Sequence, residues 1–95
     1  MTSFVACVEF LLYCPGSFSL KDKRQFVRSI SDQLADKYNI SIAEVDHQDH
    51  QRLIGLAVAF VSTERRRIDQ IISKVEEELE QTPGVQIREM DRNIY

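Results

Sequence analysis

Ninety-five residues with 12 Lys and Arg against 15 Asp and Glu make a small chain of formal net charge −3. That length fits one domain, residues 1–95, and allows one core without metal or disulfide staples, because folding at this size removes somewhat over ~60% of the unfolded chain's surface from water. A composition of 43% hydrophobic and 28% charged residues argues against a disordered or repetitive chain, and without a basic excess any nucleic-acid site has to be a local patch.

The first element, Ser3 to Cys14, reads as a long strand from its β-branched and aromatic content. Phe4, Ala6, Val8, Phe10 and Leu12 share one face; Val5, Cys7, Glu9, Leu11 and Tyr13 share the other, where only Glu9 breaks the apolar character. Such a strand belongs at the centre of a sheet, covered on both sides. Cys7 and Cys14 would stand roughly 23 Å apart in extended chain, beyond disulfide reach, so they read as small hydrophobes.

Pro15-Gly16 is a turn, and Ser19-Leu-Lys-Asp22 has the spacing of a capping box with Asp in place of Glu. Phe26, Val27, Ile30, Leu34 and Tyr38 then follow at helical spacing, which predicts an amphipathic helix from Leu20 to Tyr38 closed by Asn39 in the left-handed region. Ile40 to Asp46 predicts a less apolar edge strand, and His47 to Arg52 a polar connection. Leu53 to Val61 predicts a second central strand, with Gly55 marking a bulge or a close backbone approach. Ser62 or Thr63 is placed to cap a second helix, whose stripe is Ile68, Ile71, Ile72, Val75 and Leu79. Pro83-Gly84 stops it, and Val85 to Ile94 predicts the last strand.

The order βαββαβ with right-handed crossovers predicts an α+β, ferredoxin-like fold: a four-stranded antiparallel sheet with two helices on one face. The first and third strands are expected as central, parallel neighbours, which would bring both helix N-termini to one end. A one-sided helical layer leaves the other sheet face open. The apolar central strands then call for cover by a second copy or a partner, with Val5, Cys7, Glu9, Leu11 and Tyr13 as candidate interface residues of a homo-oligomer.

The stretches S-L-K-D-K-R at Ser19–Arg24 and A-E-V-D-H-Q-D at Ala43–Asp49, in a chain similar over essentially its whole length, resemble the YlxP-like family of bacterial proteins. The resemblance implies a ferredoxin-like fold. Because the family's genes often neighbour those of translation and ribosome-maturation factors, it also implies a role near the ribosome. The chain departs from the family pattern at Phe18, where relatives often carry a polar residue, and around His50-Gln51, which is one residue short and lacks a common aromatic.

Two groups of cations carry the candidate chemistry. Lys21, Lys23 and Arg24 open the first helix; Arg65, Arg66 and Arg67 open the second. Cations at an N-terminus oppose the helix macrodipole, at a cost of ~0.3–1 kcal/mol for each exposed charge close to the end. Gathered at one end they would form an anion site for RNA phosphate, with Glu76, Glu77, Glu78, Glu80, Asp46 and Asp49 at the opposite, acidic end; the plainer alternative is a solvated charged surface. His47 and His50 form an H-x-x-H, but in a loop rather than a helix turn, so no metal and no cofactor are expected. Gly-rich phosphate loops, G-x-S-x-G and C-x-x-C are absent. Glu9 reads as an exposed carboxylate paired with an Arg rather than as a general base, so no catalytic residue is assigned. The sheet lacks the stacking aromatics of an RRM-like RNA platform.

The expectation is therefore a non-enzymatic, cytoplasmic binding protein associated with ribosome maturation or translation, contacting RNA or a ribosomal subunit. Unpaired thiols, no leader pattern and no run near the ~20 apolar residues that span a membrane support that location. The alternatives are an oligomerisation or protein-interaction module, or a small-ligand sensor, using the apolar sheet face.

Overall fold

The computed structural model describes residues 2–95. Alternation along β1 (Phe4–Tyr13) sorts the molecule into layers: Ala6, Val8, Phe10 and Leu12 are buried, while Val5 and Glu9 at the alternate positions are exposed. Residues of α1 (Leu20–Lys37) and α2 (Arg65–Gln81) join the buried row. Ile30 and Leu34 of α1 and Ile68, Ile72, Val75 and Leu79 of α2 share one core with β1 and with Ile54, Leu56, Val58 and Phe60 of β3 (Leu53–Ser62). β2 (Ser41–Asp46) and β4 (Gln86–Ile94) complete an antiparallel sheet in the order β2-β3-β1-β4, the ferredoxin-like arrangement expected from the element order. The helices cover the even-numbered face of β1; the face of Val5, Cys7, Glu9, Leu11 and Tyr13 carries no helix.

The expected parallel pairing of the first and third strands is corrected. β1 and β3 are antiparallel, from Phe4 opposite Ser62 to Tyr13 opposite Leu53. The cause is topological: the β1–α1–β2 crossover makes β1 and β2 run the same way, and the short β2–β3 connection then reverses the chain. α1 leaves the C-terminal end of β1 and α2 that of β3, so the two helix N-termini sit at opposite ends of a molecule 48 Å long.

Helix ends also differ from expectation in detail. Ser19 caps α1 as expected, its hydroxyl accepting from Asp22 N–H at 3.0 Å, while the Asp22 carboxylate accepts from Phe18 N–H at 3.3 Å. Asn39 is not left-handed: Tyr38 turns directly into extended backbone and sends the chain into β2. At α2 the cap position is held by Glu64, not Ser62 or Thr63, and its side chain makes no capping bond; the Ser62 hydroxyl accepts from Glu64 N–H instead. Gly84, at φ 84°, takes the left-handed turn into β4. Gly55 is the close approach expected of it, since a Cβ there would stand 2.6 Å from Asp46 Cβ. No helix among the described residues is long and apolar enough to cross a membrane.

Candidate functional site

Lys23 is closed off from any external anion. Its side chain is fully buried, and Nζ donates to the carbonyls of His47 (2.7 Å), Gln48 (3.1 Å) and Leu53 (3.2 Å) and lies 2.9 Å from Glu44 Oε2. Three N–H groups meet four oxygens, so one oxygen must go without an aligned hydrogen. That one is Glu44 Oε2, which is held by charge alone. The clamp ties the first turn of α1 to the β2–β3 connection. It thereby joins the two motifs, Ser19–Arg24 and Ala43–Asp49, that carry the family resemblance. Sequence reasoning missed it, although Glu44 alternates with Ile42 toward the helices and so needed a buried partner.

The remaining cations do not form one basic end. Lys21 and Arg24 are exposed at the start of α1, where Arg28 extends them along the same helix face. Arg65, Arg66 and Arg67 are exposed at the start of α2, at the other end of the molecule. Asp46 and Asp49 lie at the end where α1's cations are exposed, Glu64 adjoins the arginines at the start of α2, and Glu78 of α2 pairs with Lys37 in the last turn of α1. Each end therefore mixes both signs.

The histidines serve the β2–β3 connection. His47 adopts φ 58°, with Asp46 Oδ1 accepting its N–H at 2.8 Å. His50 Nδ1 accepts from the backbone N–H groups of Arg52 (3.0 Å) and Leu53 (3.1 Å), which fixes the ring's proton on Nε2. Among the described residues no three His, Cys, Asp or Glu side chains converge as a metal site.

The fold leaves the helix-free face of the sheet uncovered. Its floor is small and apolar: Ala57 and Ala59 on β3 lie opposite Glu9 and Cys7, with Ala43 beyond them on β2. Val5, Val45 and Val61 are 42%, 48% and 66% exposed. Toward β4 the face turns acidic. Glu9 stands directly opposite Asp91 and Leu11 opposite Glu89, in a shallow hollow of about 420 Å³ that Val45, Asp46 and Gly55 also line. Among the described residues Glu9 has no Arg partner: Arg88 lies over the Tyr13 ring, 4.5 Å from its centre, and Arg92 pairs with Asp69 of α2. Cys7 sits within this face. Cys14 is buried just past β1, and burial pushes its thiol pKa above the usual 9.0, with Lys23 nearby opposing that shift. Neither cysteine forms a disulfide.

Comparison with known proteins agrees with the motif resemblance. The model of a family described as "Protein of unknown function (DUF503)" matches residues 5–92. The chain is 32% identical over 75 residues to the "Uncharacterized protein YlxP" of Bacillus subtilis (strain 168), covering 79% of this chain and 78% of that one. A de novo designed protein with a ferredoxin fold is similar at 18% identity and a TM-score of 0.42, over 99% of this chain and 85% of the designed one. The fold assignment rests on the strand order itself rather than on that likeness. The family match spans nearly all of the sheet and both helices, and the chain belongs to the YlxP-like DUF503 family.

Proposed function

We propose that this protein is a non-catalytic interaction module whose association surface is the helix-free face of the sheet. The observation that carries the reading is the apolar floor of Val45, Ala57, Ala59, Leu11 and Val5, interrupted on β1 by Glu9 and left uncovered by either helix. Large apolar patches are uncommon on the surface of a lone monomer. Ala57→Arg places a charge at the centre of that floor without touching the core. Size-exclusion of native lysate should find the wild type above its monomer mass and the variant at it. A wild-type protein that elutes as a lone monomer, both in lysate and when purified at high concentration, overturns the reading.

A second reading keeps the RNA contact but moves it to one end. Phe18 is 76% exposed beside the first turn of α1, next to the face that presents Lys21, Arg24 and Arg28. A stacking aromatic beside cations at helical spacing suits an unpaired base with its flanking phosphates. Co-sedimentation with ribosomal subunits at low and high salt tests it. Salt-sensitive association lost in the Phe18→Ala and Arg24→Glu variants supports an RNA contact there. Association that survives both substitutions, or none at low salt, removes it.

A further inference from the structure

We propose that the partner on the helix-free face is a cationic protein segment, a strand or loop whose apolar side chains cover the alanine floor while a Lys or Arg enters the acidic hollow. This rests on the interaction-module reading and names the chemistry of its partner.

The first argument is charge. Glu9, Glu89 and Asp91 are exposed together around the hollow, and none forms an ion pair among the described residues. Of the two β4 arginines, Arg88 lies on the Tyr13 ring, and Arg92, opposite Val8 on the helix-covered side, pairs with Asp69. The second argument is register. Glu9 and Asp91 are direct cross-strand neighbours, and like charges placed opposite one another destabilise a sheet. An incoming cation relieves that repulsion and gains two charge-assisted acceptors beside an apolar surface. The third argument concerns the rival occupants. A second copy packed face to face would add its own carboxylates to the first, and an RNA backbone would bring phosphates to them. Both juxtapose like charges at an interface, which disfavours those partners.

Cys7 provides a reporter within the face, and buried Cys14 an internal control for unfolding. The full chain is labelled with N-ethylmaleimide alone, with a synthetic peptide alternating Val and Arg, and with its Val–Glu counterpart. The Val–Arg peptide should slow Cys7 labelling by about tenfold, equivalent to ~1.4 kcal/mol. The protection should vanish in ~1 M salt and in the isosteric Glu9→Gln/Asp91→Asn variant, with Cys14 unlabelled throughout. Labelling that the Val–Arg peptide leaves unchanged at millimolar concentration overturns the proposal. So does protection that is equal in the double variant or equal with the Val–Glu peptide. Protection that grows with the protein's own concentration, without peptide, assigns the face to a second copy; it overturns the cationic partner while the interaction-module reading stands.

Discussion

The two helix starts carry nearly the same sequence advertisement and have opposite fates. Each opens with three cations in its first turn or just beyond. At α1 the turn is organised: Ser19 caps it, Asp22 closes back on Phe18, and Lys23 is drawn inside to hold three carbonyls and Glu44. At α2 no side chain caps the helix, no acid lies in its first turn, and Arg65, Arg66 and Arg67 all stand in water. The lesson is that a run of basic residues is not a unit of function. One member can be a structural pin while its neighbours remain free, and the difference lies in what the fold brings within reach.

Removing the pin should break the comparison most sharply. Lys23→Met leaves the enclosed Oε2 of half-buried Glu44 without its counter-charge and three carbonyls without a donor. A loss of about 3–5 kcal/mol is expected, read from the midpoint of urea unfolding. Arg66→Ala, at the equivalent region of α2, should stay within ~0.5 kcal/mol of wild type in the same measurement. Equal effects would erase the distinction.

Gly55→Ala tests the strand that holds the clamped connection in place. Its new Cβ meets Asp46 Cβ at 2.6 Å and the Asp46 backbone at 3.0 Å, so β2 must shift. A cost of about 1–3 kcal/mol is expected, with amide resonances of Asp46 and His47 displaced. The caps give a smaller, signed contrast. Ser19→Ala should cost about 1 kcal/mol, whereas Glu64→Asp at the uncapped start of α2 should raise stability by ~0.5–1 kcal/mol.

The smallest effect is a pH dependence beside the α1 start. Burial raises the Cys14 pKa, so above the usual value of 9.0 the unfolded chain releases this proton while the folded chain keeps it. The unfolded state then binds fewer protons, and stability falls as pH rises through that region. Cys14→Ala should flatten the slope between pH values just below and just above 9.0, measured by urea unfolding at each pH.

Much of this fold is legible in the sequence. Period-two alternation in β1 sorted its residues onto the faces they occupy, the Ile68–Leu79 stripe marked the buried side of α2, and Ser19 with Asp22 fixed the start of α1. The direction of β3 relative to β1 was legible too, because a crossover followed by a short connection must reverse the chain, which excludes the parallel pairing. The candidate interface residues on β1 were grouped correctly by alternation, but not which side the helices would choose. Both faces of the strand read as apolar, and Glu9 gave the only asymmetry.

Local sequence determined the elements because periodicity, capping and turn chemistry act between residues a few positions apart. Tertiary structure decided the site. Lys23 meets carbonyls 24 to 30 residues away, and Glu9 meets Asp91 across almost the whole chain. Whether a charge is pinned, paired or left opposing its like depends on partners that only the folded sheet brings within a few ångströms.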